Sequence, residues 1–307
     1  MRDKIHKFKQ NGLCLLLDIN SGAVHVIDDM IYDIMDVFNG QNDAETMRAM
    51  AGRYPAAEIE EALGELHALI KAQELFAPDI DIPPTFAEAG LVKSMCLMVA
   101  HDCNLRCKYC FGDTGEYGGG RQLMTKEVGE AAIDYIIAGS GPRVHCEVDF
   151  FGGEPLVNMP VVEHVTAYVR RREKETGKKF KLIFTTNGLL LHEKNQKFLD
   201  DNNISLVLSL DGRREVHDRM RPDAAGRGTY DRVLPNFQRT VAARGGSNYY
   251  LRGTYTKYDL DFTDDVLAMH DAGFDVLSME PVVAKDTPYA IEEEDLPRIY
   301  EIGRAHV

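Results

Sequence analysis

The chain has 307 residues, 44% of them hydrophobic and 27% charged, with a formal net charge of −14. That length suits one or two cores, and the acidic balance argues against non-specific nucleic-acid binding. No apolar run reaches the roughly 18 residues a spanning helix needs, and the opening MRDKIHKFKQNG lacks a signal-peptide core, so a cytoplasmic location away from membranes is expected.

Residues 1–80 read as a small α+β module. A hairpin is expected in LCLLLDINSGAVHVI, where Asn20, Ser21 and Gly22 separate two apolar runs. Three helical patterns follow, DDMIYDIMDVFNG, DAETMRAMAGRY and AAEIEEALGELHALIKAQ, and ELFAP reads as a closing strand. This order resembles a winged-helix module. Residues 81–92 read as a Pro-rich linker.

From residue 93 to 300, strands alternate with helices. The strands are MCLMVA (95–100), CEVDFF (146–151), KLIFTT (181–186), SLVLSL (205–210), YYLRGTYT (249–256) and VLSMEPVV (276–283). Six strands with intervening helices imply a parallel, closed or partly closed sheet with functional groups at the C-terminal strand ends. Cys14, Cys96 and Cys146 lie in apolar strand patterns and read as buried structural cysteines. The last seven residues, EIGRAHV, back-translate into a common sequencing-adapter sequence followed by a stop. Residues 301–307 are therefore expected to be foreign, and the biological chain to continue.

The chemistry concentrates in HDCNLRCKYCF, directly after the first barrel strand. Cys103, Cys107 and Cys110 have the spacing Cx3Cx2C with no fourth cysteine nearby. In a reducing compartment clustered cysteines are more often ligands than disulfides. Zinc normally takes four ligands in paired knuckles, and a bacterial ferredoxin run supplies four thiolates. Three thiolates instead suit three irons of a [4Fe-4S] cluster and leave the fourth open. The bland alternative is three core cysteines that happen to cluster.

Four further stretches accompany the triplet. FFGGEP places Gly152, Gly153 and Glu154 after the second strand; the glycines allow close approach to a ligand, and Glu154 brings an acceptor for an ammonium group. TTNG ends the third strand with Asn187, and LSLDG ends the fourth with Ser209 and Asp211. LRGTYT puts Arg252, whose fork suits a carboxylate, on the fifth. For Asn187 and Asp211, capping of the following loop is an equal reading.

With these residues the chain resembles the radical S-adenosylmethionine (SAM) superfamily, whose Cx3CxΦC motif has an aromatic where Tyr109 stands. The resemblance implies a partial (β/α)6 radical SAM barrel with a [4Fe-4S] cluster held by Cys103, Cys107 and Cys110. SAM would chelate the open iron through its methionyl amine and carboxylate, and one electron would split it into methionine and a 5′-deoxyadenosyl radical. The GGE stretch would hold the SAM amine, Ser209 and Arg252 its carboxylate, and Asn187 the ribose or substrate. The stretch MEPVV (279–283), which contains Glu280, would help wall the adenine pocket. The segment HDRMRPDAAGRGTYDRV (217–233) resembles peptide-modifying members, and its glycines argue for an ordered loop.

The N-terminal module resembles the leader-peptide recognition element of ribosomally made natural products, which adds a peptide strand to its sheet edge. Its opening is similar to maturases of six-cysteines-in-forty-five-residues (SCIFF) peptides. That resemblance implies α-carbon hydrogen abstraction and a cysteine sulfur-to-α-carbon thioether in a precursor peptide. A flavodoxin or ferredoxin would supply the electron. Such maturases carry a C-terminal SPASM or twitch region with auxiliary clusters, whereas no cysteine follows Cys146 here, so a truncated chain is expected. The alternatives are a sulfatase-maturing, formylglycine-forming enzyme, another peptide-oxidising relative, or a truncated leader-peptide-binding protein.

Overall fold

Alternate residues of the strand Leu13–Asp18, namely Cys14, Leu16 and Asp18, are buried, as a half-buried strand requires. In the computed structural model, which describes residues 4–10, 12–79 and 90–302, this strand is the centre of an antiparallel meander. Its members are β1 (Ile5–Gln10), β2 (Leu13–Asp18) and β3 (Val24–Ile27). Asp18 organises the β2–β3 turn by accepting the N–H groups of Asn20 at 3.0 Å and Ser21 at 2.8 Å.

Helices α1 (Asp29–Ile34), α2 (Asp43–Met50) and α3 (Ala56–Lys71) follow. Asp28 caps α1 and Asn42 caps α2 with their side-chain oxygens. Leu16 packs with Ile34, Phe38, Ile59, Leu63 and Leu66 in the core of this unit.

The expected closing strand ELFAP is not a strand. Gln73 and Phe76 take positive φ values of 61° and 50°, which breaks an extended run. Leu75 instead inserts into the core, and the N–H of Ala77 is held by Asp18 at 3.1 Å. The third strand is β1, whose polar alternation hid it.

The second unit is built on a seven-stranded sheet. Six strands run parallel: β4 (Ser94–His101), β6 (His145–Gly152), β7 (Lys179–Thr186), β8 (Ser205–Ser209), β9 (Tyr249–Tyr255) and β10 (Leu277–Pro281). The short β5 (Gln122–Leu123) pairs antiparallel with β4, and the order is β10-β9-β8-β7-β6-β4-β5. All six expected barrel strands are present, and the sheet has open edges at β10 and β5.

Between them come α4 (Lys126–Gly139), α5 (Met159–Thr176), α6 (Glu193–Asp201), α7 (Arg214–Met220), α8 (Tyr230–Ala243) and α9 (Phe262–Asp271), with α10 (Leu296–Ile302) last. One face of the sheet, including Val99, Val148, Phe150, Phe184, Leu208 and Leu251, forms a continuous core with Ile133, Val165, Val233 and Phe237 from the helices.

The alternate strand residues Met98, Asp149, Phe151, Thr185, Ser209 and Arg252 face the other way and are half-buried or exposed. Cys96 belongs to this second set and is exposed, whereas Cys14 and Cys146 are buried as expected. MCLMVA is apolar on both faces, so its pattern did not say which face packs against helices.

The linker expectation falls largely on residues 81–89, and the foreign-tail expectation largely on 303–307; both stretches lie outside the described residues. Among the described residues no helix is long and apolar enough to cross a membrane.

Candidate active site

The cysteine loop leaves β4 at His101 and is tied down on two sides. Toward β6, Ala100 accepts the N–H of Gly153 at 2.8 Å, and Asp102 accepts that of Glu154 at 2.9 Å. A Cβ at Gly152 would lie 2.4 Å from the Ala100 carbonyl oxygen, and one at Gly153 would lie 2.2 Å from that of Asp102. These glycines therefore serve a close approach of backbone to backbone, in addition to the ligand approach read from the sequence. The β4–β6 register shifts between Met98 and Ala100, a bulge of the kind that re-aims a strand end beside a site.

Toward α7, the N–H of Arg106 reaches the Pro222 carbonyl at 2.7 Å and that of Lys108 the Met220 carbonyl at 2.9 Å. Leu105, buried, bridges to Asp223. The segment 217–233 is internally hydrogen-bonded. Asp218 accepts the N–H groups of Thr229 at 2.7 Å and Tyr230 at 2.8 Å, and Asp223 holds Arg227 and Arg232.

Cys103, Cys107 and Cys110 are all half-buried in this loop. Burial pushes the Cys103 thiol up to about 12 and the Cys107 thiol up to about 11, so a bound cation is needed to make them thiolates. Cys103 Sγ also faces N–H donors, Leu105 at 3.4 Å and the Asn187 amide at 3.7 Å. Hydrogen bonds of this type stabilise cluster thiolates.

Among the described residues no three His, Cys, Asp or Glu side chains converge as ligands of a single metal ion. A cluster asks each thiolate to reach a different iron, and the donor set fits it.

Glu154 is fully buried. Its Oε1 accepts the Leu156 N–H at 3.0 Å and the Thr186 hydroxyl at 2.8 Å, and its Oε2 accepts the Asn187 N–H at 2.8 Å. Burial pushes this carboxyl up to about 7 against the pull of those donors. A carboxylate has about four acceptor positions, so one on Oε2 is left for an ammonium. Asn187 itself bridges β7 to the loop, donating to Asn104 Oδ1 at 2.8 Å and accepting the Leu189 N–H at 3.0 Å. Asn187 thus caps the following turn and also reaches the cysteine loop.

Tyr109 and Asp211 meet in a buried network. The Tyr109 hydroxyl donates to Asp211 Oδ2 at 2.5 Å and accepts from the Arg221 guanidinium at 2.7 Å. Arg221 also stands 3.5 Å from Asp211 Oδ1. Asp211 accepts the Thr254 N–H at 3.2 Å. Sequence reading quoted the segment carrying Arg221 without singling the residue out.

His217 in the same segment is fully buried and is held well below the usual histidine range by burial and by Arg221. The neutral ring accepts the Asp211 N–H on Nδ1 and meets the Thr229 hydroxyl through Nε2 at 3.0 Å.

Ser209, near the β8 tip, makes no hydrogen bond through its hydroxyl among the described residues. Arg252, on β9, is exposed and pairs with Glu280 on β10. Among the described residues neither bonds to the cysteine loop. Exposed pairs of this kind exchange partners at small cost, so a carboxylate ligand competes readily with Glu280. Asp149 was not singled out from the sequence. It sits lower on the same face, accepts the Thr185 hydroxyl at 3.3 Å, and burial pushes it up to about 6.

Residues 90–235 match the family model described as a 4Fe-4S single cluster domain. Over 139 residues the chain is 32% identical to the cysteine-type anaerobic sulfatase-maturating enzyme of Clostridium perfringens, covering 43% of this chain and 36% of that protein. It is 29% identical over 139 residues to the radical SAM cyclopropyl synthase TigE of Paramaledivibacter caminithermalis, covering 41% of this chain and 28% of that protein.

The barrel unit is similar to radical SAM enzymes.

A solved structure of native anSMEcpe with bound AdoMet and the Cp18Cys peptide shares the fold. Its TM-score is 0.60 at 22% identity, over 68% of this chain and 57% of that one. The matches thus span only about a third of the curated relatives' own length. They support both expected cofactors, the [4Fe-4S] cluster and SAM, for this unit.

Proposed function

We propose that this chain carries a radical SAM enzyme acting on a ribosomally made, cysteine-rich precursor peptide. The proposed product is a thioether from a cysteine sulfur to an acceptor α-carbon. The observation that carries the radical SAM part is the three-cysteine loop, clamped between β6 and α7, with N–H donors aimed at Cys103. Cys103, Cys107 and Cys110 would hold the cluster; Glu154, Ser209 and Arg252 would hold SAM. Bound together, these cofactors supply one-electron carbon–sulfur cleavage and a hydrogen-abstracting 5′-deoxyadenosyl radical.

The chain's own part is positional. Glu154 and Asn187 join the ends of β6 and β7 to the loop, so the ligands are preorganised. Asp149, Thr185 and Ser209 give the open face of the sheet a polar wall for a peptide. A low-potential flavodoxin or ferredoxin is the proposed electron donor.

Leader recognition is assigned to the unit within residues 1–80. Among the described residues its sheet ends at β3, which pairs only with β2, and Val24 and Val26 stand 59% and 65% exposed there. An apolar, unpaired strand edge is what strand addition by a peptide requires.

A second reading, formylglycine formation, is favoured by the 32% identity to the Clostridium perfringens enzyme. One experiment separates them. The reconstituted enzyme is offered a leader-bearing cysteine-rich peptide and a sulfatase-derived cysteine peptide. Loss of two hydrogens per crosslink in the first supports the thioether reading; an aldehyde in the second, with the first untouched, supports the alternative.

A further inference from the structure

The two sides of the cysteine loop are held differently. On the β6 side the ties are backbone bonds at two half-buried glycines. On the α7 side the backbone bonds are joined by one side chain, Arg221, which is 8% exposed in spite of its charge. Burying a guanidinium is costly unless it is paired, so a reason for its position is required.

Its contacts supply one. Arg221 reaches the Tyr109 hydroxyl at 2.7 Å and Asp211 at 3.5 Å, while Tyr109 closes the triangle to Asp211 at 2.5 Å. Tyr109 stands between Cys107 and Cys110 in the chain. The backbone on either side of Arg221 pairs with the same loop, through Met220 to Lys108 and Pro222 to Arg106. The Arg221 carbonyl is in turn fixed by the Thr229 hydroxyl at 2.7 Å.

The cation is incompletely matched. Its Nε is buried with no acceptor among the described residues, and its field lowers the Cys107 thiol, the Glu154 carboxyl and the His217 ring together. A fixed positive charge beside a cluster favours the state with one more electron, because net charge is one of the factors that set cluster potentials.

We propose that Arg221 is a positioning residue that clamps the cysteine loop through Tyr109 and Asp211 and raises the reduction potential of the cluster bound there. This rests on the radical SAM reading above. Arg221 touches no reacting atom; it acts through the loop and through its charge.

Two measurements test it on the full chain. In the apo-protein, amide exchange reads the clamp at Arg106 and Lys108. Losing the network bonds in Arg221→Gln or Tyr109→Phe should speed exchange there about tenfold. After anaerobic reconstitution, a dithionite titration followed by electron paramagnetic resonance reads the potential. Arg221→Gln also leaves Asp211 without its cation, so both changes push the midpoint more negative, and Arg221→Lys should recover part of the shift.

Wild-type exchange in both variants, with an unmoved midpoint in Arg221→Gln, overturns the proposal. If Arg221→Gln does not fold, Tyr109→Phe and Arg221→Lys decide, and wild-type exchange in both overturns it equally. A wild-type chain that takes up no cluster is a separate outcome, which sinks the radical SAM reading and leaves the apo-protein exchange result standing.

Discussion

Glu154 Oε2 accepts the main-chain N–H of Asn187 at 2.8 Å, joining the end of β6 to the end of β7 directly under the cysteine loop. The same carboxylate takes Leu156 and Thr186 on its other oxygen. In Glu154→Gln an NH2 group must face at least one of these donors. Leaving a buried donor unmet costs about 1–3 kcal/mol. Thermal denaturation should show that loss, and equilibrium dialysis should show weakened SAM binding. Wild-type values in both would contradict the role given to Glu154.

Gly153 tests the close approach. Its added Cβ in Gly153→Ala would sit 2.2 Å from the Asp102 carbonyl oxygen and 3.1 Å from Cys103 Cβ. Backbone cannot yield as a flexible side chain does, so overpacking of about 1–3 kcal/mol is expected. Iron content after reconstitution should fall with it, because the strain is delivered to the first ligand.

Asp149 provides a pH test. Its folded carboxyl lies at about 6, above the roughly 4 of an unfolded aspartate. The fold therefore favours the protonated form. The stability this contributes is complete below about pH 4 and is lost as pH rises through about 6. Asp259, about 6, and Glu154, about 7, act with the same sign. Asp149→Asn removes one share, so its melting temperature should exceed that of wild type at pH 8 and converge toward it near pH 4. A constant offset across that range would contradict the linkage.

The edge of β3 carries the leader-peptide reading. Charging both exposed valines, Val24→Asp with Val26→Asp, should weaken binding of a fluorescent leader peptide about tenfold or more by disfavouring strand addition. Iron loading reports whether the rest of the chain is intact. Unchanged peptide affinity would move the recognition site elsewhere.

How much of this was legible depended on whether the property was local. The cysteine spacing, GGE and the six parallel strands are short-range patterns, and each lies where the sequence placed it. β1 was missed because His6, Lys7 and Lys9 make a polar strand that only pairing with β2 reveals. ELFAP looked like a strand, but two residues with positive φ and the pull of Asp18 made it a buried turn. Cys96 was read as buried, since a doubly apolar strand does not tell its faces apart. Arg221 and Tyr109 lie 112 positions apart, and no periodicity connects residues at that distance. The cysteine triplet was readable, whereas the side-chain network around it was a tertiary property.

The most direct test is product analysis of the reconstituted chain. With the cluster loaded, dithionite and SAM should yield 5′-deoxyadenosine and methionine in equal amounts, and Cys107→Ala should abolish both the iron chromophore and the product. A well-folded, cluster-loaded wild type that leaves SAM intact would contradict the account.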